Sequence, residues 1–194
     1  LMHSREFKQA IAQGQEGVRL NPKGMGNNAG LGFAYWGAGQ LDQAEAAYTR
    51  CVKLYPRINF CRKNIADIEA MQRRYASARD KLQYVVSHDP ADVVAATTLA
   101  NVYLLGWGDL ADARKVLEGV PAPAASSGAL SDAWYWLDMY ARDYQAALGI
   151  IAKAPASWFQ QQGEPLALYQ AQAFRAQGDS KRAKQEFTLA RASL

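Results

Sequence analysis

Leu31-Gly32-Phe33-Ala34-Tyr35, then Gly39, Ala44, Tyr48, Cys51 and Pro56, is the stretch that decides the fold. Ala44 and Pro56 belong to ladders. Ala10, Ala44 and Ala78 are spaced by 34 residues, and so are Pro22, Pro56 and Pro90. Two ladders at one period mark a repeated unit of two helices and a turn. Small residues let the two helices approach closely, and large apolar ones fill the space between units. Each proline ends a second helix, because it cannot continue the hydrogen-bond ladder. The apolar residues follow the 3.6 period of helices rather than the period of two of strands.

Outward from residues 25–58, the next unit is 59–92. There Ile65-Ala66 takes the Leu-Gly place, and Leu82, Val85 and Pro90 follow Ala78. Asn28 and Glu69 depart from the aromatic residues that the pattern asks for, which predicts a weak packing site and a less regular helix. Residues 5–22 read as an orphan second helix. With Leu1 in place of methionine, this reads as a truncated start. Unit 93–121 holds Leu99-Ala100 and Tyr103. Its turn, Gly106-Trp107-Gly108, carries one extra residue and moves the alanine to Ala113. A breaker-rich loop spans 119–129. Unit 130–155 is compressed and ends at Pro155, with Trp134 or Trp136 as its packed aromatic. Unit 164–194 is regular, with Ala171, Phe174, Gly178, Ala183, Phe187 and Ala190 in phase and Asp179 or Ser180 as a helix cap.

These motifs resemble the tetratricopeptide repeat (TPR). The resemblance covers nearly all 194 residues and is strongest over 25–92. It implies an all-α, right-handed superhelical solenoid of about five helix-turn-helix units, the first and fourth irregular, as one domain over 1–194. It also implies a protein-interaction scaffold, not an enzyme, that binds a peptide or partner protein along the concave face of the first helices. The alternative is a self-assembly module of a multi-domain bacterial regulator. The segments Arg142-Asp143-Tyr144-Gln145-Ala146-Ala147-Leu148, Trp158-Phe159, Gly178-Asp179 and Ala190-Arg191 are similar to the TPR tails of bacterial signalling proteins.

Aligned on the repeat, the inward positions are Phe33, Trp36, Phe60, Lys63, Asn64, Asp67, Thr97, Asn101, Leu104, Gln172 and Arg175. The polar ones can bond a peptide backbone, and the aromatics can serve as anchors. They can equally pack neighbouring helices. The carboxylate clamp of chaperone-binding members is rejected. Of Ala29, Phe33, Asn64, Val94 and Thr98, only Asn64 matches it. Beginning one repeat later brings Lys63, Asp67 and Thr98 into the first three places, with one match.

Net charge is +4. Residues 57–81 carry Arg57, Arg62, Lys63, Arg73, Arg74, Arg79 and Lys81 against Asp67, Glu69 and Asp80, which amounts to the whole excess. This is a solvated helix surface or the seat of an acidic partner. Nucleic-acid binding through the stretch is a weaker class. Phosphate loops and metal-ligand spacings are lacking, so no cofactor is expected. His88 fits a helix C-terminus, and Ser87-His88-Asp89 are neighbours in sequence rather than a triad. No apolar run is long enough to span a membrane. Cys51 and Cys61 read as reduced core thiols, since a disulfide would need an oxidising compartment and close geometry. The cytoplasm is slightly favoured over the periplasm. Phe187, Leu189 and Leu194 on the last helix point to a homodimer through the C-terminal end.

Overall fold

The computed structural model describes residues 2–122, 124, 128–154, 158–159 and 165–193, with side chains from residue 6 onward. Pro155 and Leu194 lie outside the described residues. Every regular element among the described residues is helical. They run α1 (Met2–Leu20), α2 (Met25–Gly37), α3 (Leu41–Leu54), α4 (Asn59–Met71), α5 (Tyr75–His88), α6 (Val93–Trp107), α7 (Leu110–Glu118), α8 (Gly128–Tyr140), α9 (Tyr144–Lys153), α10 (Leu166–Gln177) and α11 (Ser180–Ala192). They form two compact units, residues 1–85 and 86–194.

In the first unit α1 packs on α2, α2 on α3, and α3 on α4. The small-residue ladder makes this close packing possible. Ala44 and Ala78 are fully buried. Gly32 lies against the Tyr48 ring so closely that a Cβ there would come within 2.8–2.9 Å of three ring atoms. Tyr48, Cys51, Cys61, Ile65 and Ile68 form the core, with Tyr35 and Trp36 packed against it. The α2–α3 turn ends through Gly39 at φ +73°, a left-handed position that glycine adopts without a steric penalty.

The thiols are joined. Cys51 and Cys61 form a disulfide with a Cα–Cα distance of 6.2 Å, which corrects the expectation of two reduced cysteines. The reason is the turn. Cys51 and Cys61 stand five residues either side of Pro56, so the antiparallel α3 and α4 bring them opposite each other.

Asn28 and Glu69 make specific bonds where the pattern asks for an aromatic, while Asn28 Oδ1 and Glu69 Oε2 are buried without a hydrogen-bond partner among the described residues. Asn28 is buried and its Nδ2 donates to the carbonyls of Pro22 and Gly24, both at 2.9 Å. It fastens the loop before α2, where an aromatic would only fill space. Glu69 is buried, and its Oε1 accepts from Ser77 Oγ at 2.7 Å and Lys81 Nζ at 2.8 Å. α4 is an uninterrupted helix around it.

In the second unit Ala96, Ala100, Ala113, Leu117, Leu130 and Leu137 form one core. The extra turn residue is absorbed where α6 ends at Gly108, φ +66°. Tyr135, Ile151, Phe159, Tyr169 and Ala173 form a second core. Tyr135 is the fully buried aromatic of α8. Trp136 packs edge-on to it at 5.1 Å, while Trp134 lies beneath Arg114 at 5.2 Å. Both tryptophans are thus used, on different faces of α8. Asp138 is buried and accepts from Arg114 at 2.9 Å. Asp179 caps α11 by accepting from the Arg182 amide at 2.9 Å.

Candidate functional site

The first helices of the first unit expose what a core would normally bury. Phe33 on α2 is 64% exposed and Phe60 on α4 is 50% exposed. Phe33 borders a groove of about 340 Å³ between α1 and α2, floored by Phe7, Ala10, Gly14, Gly30 and Leu31. Small residues keep this groove open. A Cβ on Gly26 or Gly30 would meet nothing within 4 Å. Phe60 lies edge-on to Tyr48 at 6.5 Å, so one side of its ring is supported and the other faces out.

Lys63, Asn64 and Asp67 follow Phe60 along α4 at helical spacing, and all three are half-buried. Asn64 Nδ2 donates to the Phe60 carbonyl at 2.8 Å, which commits part of its bonding capacity to its own helix. Burial pushes the Asp67 carboxyl up from 3.8 to about 6, partly opposed by the Lys63 ammonium. The Tyr48 phenol is pushed up to about 12, first by burial and then by the Asp67 charge. Its hydroxyl is buried without a hydrogen-bond partner among the described residues. Trp36 packs against the core of this unit and is half-buried there.

The remaining sequence positions fall in the second unit. Thr97, Asn101 and Leu104 lie along α6. Thr97 Oγ1 donates to the Val94 carbonyl at 3.2 Å, Asn101 is exposed, and Leu104 packs onto the α6–α8 core. Gln172 on α10 is half-buried, and its Oε1 is buried with no hydrogen-bond partner among the described residues. Arg175 is exposed. It borders a separate groove of about 500 Å³ with Ser180, Ala183, Lys184, Phe187, Thr188 and Arg191. Neither that groove nor the one between α1 and α2 was singled out from sequence. Lys184 and Arg191 stand in a helix whose other residues are in phase with the ladder, and they carry no motif.

Within the basic stretch 57–81, Arg74, Arg79 and Lys81 have carboxylate partners in their own unit. Arg74 pairs with Glu45 and lies 3.7 Å from Glu69. Lys81 pairs with Glu69 at 2.8 Å and Arg79 with Asp80 at 2.8 Å. Arg62 stacks over Tyr84 at 4.0 Å. Among the described residues no group of three or more His, Cys, Asp or Glu side chains could hold a metal ion. No described helix is long and apolar enough to cross a membrane.

Two family models, each described as tetratricopeptide repeat, match residues 28–58 and 70–133. Among solved structures, a tetratricopeptide repeat protein from Parabacteroides merdae is similar at TM-score 0.78 and 14% identity, over 96% of this chain and 73% of its own. PilW, a widely conserved type IV pilus biogenesis factor, is similar at TM-score 0.78 and 15% identity, over 98% and 87%. YrrB, a TPR protein with an unusual peptide-binding site, is similar at TM-score 0.58 and 14% identity, over 95% and 84%. No curated protein matches the sequence. Repeat ladder, helix pairing, family models and structural neighbours agree: the chain carries tetratricopeptide repeats over 28–58 and 70–133 and has the tetratricopeptide-repeat fold.

Proposed function

We propose that this chain is a protein-interaction scaffold, without catalysis of its own, whose partner segment lies across α2 and α4 of the first unit. One observation carries the reading. Phe33 and Phe60 stand at least half exposed on the two first helices of this unit, and polar side chains follow Phe60 along α4. Exposed aromatics bounded by polar groups have the composition of an interface hot spot. The groove beside Phe33 takes one large apolar side chain, and Lys63 and Asp67 offer charges of both signs. Repeat helices hold these groups in place before binding, so little receptor ordering is needed. A peptide-binding site in YrrB supports the same use of the fold.

The test is a two-hybrid or pull-down search with the wild-type chain, followed by Phe33→Ala with Phe60→Ala. Both side chains are largely outside the core, so the variant keeps its circular dichroism. Binding should fall at least tenfold. A partner that binds the double variant as tightly as wild type overturns the assignment. An acidic partner opposite 57–81 would meet Arg57, Arg62 and Arg73, because Arg74, Arg79 and Lys81 are already ion-paired. Self-association through the C-terminal end is the second reading. It is favoured by Leu189, which is 58% exposed on α11. The buried disulfide supports work in an oxidising compartment, where such a bond persists.

A further inference from the structure

We propose that the groove along α11 docks an acidic amphipathic helix from a partner protein. This surface is distinct from the α2–α4 face. Its floor is apolar, made by Ala183 and Phe187, and its rim is cationic, made by Arg175, Lys184 and Arg191. Ser180, Lys184, Phe187, Thr188 and Arg191 share one side of α11, because each successive residue turns by about 100°. The lining runs from residue 180 to 191, roughly 16 Å at 1.5 Å per residue. That length suits about three turns of a partner helix.

Charge identifies the occupant. No carboxylate bonds Arg175, Lys184 or Arg191 among the described residues. Asp179 is held by Arg182 at 2.6 Å. Glu186, two residues from Lys184, points to the other side of α11 by the same 100° rule. Three cations around an apolar floor attract a segment with one large apolar side chain and carboxylates about a turn to either side. A second copy is a poor occupant, since an isologous contact would set the same cations against each other. Leu189 lies on the opposite side of α11, so self-association there is a separate matter. Nucleic acid would also match the charge, and comparison with a single-stranded oligonucleotide separates it from a peptide.

The experiment measures fluorescence anisotropy of a labelled, end-blocked helical peptide of about 15 residues. Its central leucine has glutamates one turn before and after it on the same face. The counterpart carries lysines in their place. The glutamate peptide should bind the 194-residue chain, weaken as salt rises, and lose at least tenfold against Lys184→Glu with Arg191→Glu. The lysine peptide should bind only that double variant. Both substituted side chains are exposed, and circular dichroism confirms the fold. Thr188→Trp, which fills the groove without changing charge, should also block binding. Phe33→Ala with Phe60→Ala should not, and this separates the groove from the α2–α4 reading. No binding up to about 1 mM peptide, equal binding of both peptides, or indifference to the charge reversal overturns the proposal. So does a sedimentation shift showing that the double variant separates two copies, or preference for a single-stranded oligonucleotide over the glutamate peptide.

Discussion

Gly30→Ala and Gly32→Ala change the same atoms two residues apart on α2, yet they should move stability in opposite directions. Replacing glycine by alanine inside a helix gains about 0.8–1.0 kcal/mol from backbone entropy. At Gly30 nothing lies within 4 Å of the new Cβ, so that gain should appear nearly whole. At Gly32 the Cβ would come within 2.8–2.9 Å of Cε1, Cδ1 and Cζ of Tyr48. The ring has little freedom to retreat, being fully buried and in contact with Phe60. Overpacking of this kind costs about 1–3 kcal/mol. The net effect at Gly32 is therefore a loss of roughly 0–2 kcal/mol once the helix-propensity gain is set against it. The difference between the two variants cancels propensity and leaves the contact alone, about 1–3 kcal/mol. Urea unfolding followed by far-UV circular dichroism reads both. A difference below about 0.5 kcal/mol would refute the claim that the Tyr48 ring fixes glycine at this site. Coupling to Tyr48→Leu adds a check. If the clash is the cause, Gly32→Ala should cost less in that background than in wild type.

Four further outcomes follow from the same structure. Replacing Cys51 and Cys61 by alanine should cost about 2–3 kcal/mol, from the loop entropy of a short bridge, and the untreated protein should show no free thiol until it is unfolded with reductant. Asp67→Asn should raise stability near neutral pH and change little near pH 4. The folded carboxyl titrates at about 6, above its ordinary 3.8, so its favourable contribution is complete below about 4 and is lost as pH rises through about 6. Lys81→Met should destabilise by about 1–3 kcal/mol by removing a cation from buried Glu69, and Glu69→Gln in that background should recover part of the loss. Leu189→Glu should abolish any concentration-dependent dimer in sedimentation. A dimer that survives it refutes self-association through that side of α11.

The ladder carried most of the fold because it is written in residue size. Ala44, Ala78, Ala113, Ala147 and Ala183 are all buried, although the step is 35 residues from Ala78 to Ala113 and 36 from Ala147 to Ala183. Size does not describe the polar replacements. Asn28 and Glu69 look like losses of packing when compared with an aromatic. In the structure each exchanges packing for bonds that reach another segment: the loop before α2 for Asn28, and α5 for Glu69. The signal was present in Lys81 and Ser77, one helical turn apart on the second helix of the same unit. It becomes readable only when the two helices are placed side by side.

The candidate site was less legible, because inward positions on a repeat do two jobs that look alike in sequence. Trp36 and Leu104 pack onto cores, while Phe33 and Phe60 remain exposed, although all four are large and apolar. Which role each takes depends on what the neighbouring helix offers. Glycine and alanine on α1 leave Phe33 a groove, and the core of the first unit draws Trp36 inward. Charge depends on the neighbouring helix for a related reason. Counting cations selects residues 57–81, but the count leaves out Glu45, which pairs with Arg74. The cysteines show the same dependence on pairing. Cys51 satisfies the ladder as a small buried residue, and nothing in its own position indicates a bond. Its distance from Pro56 does. Two antiparallel helices joined by a tight turn bring residues equally far from the turn into register, and Cys61 is as far after Pro56 as Cys51 is before it. That symmetry turns two unremarkable small residues into a covalent link between neighbouring repeats.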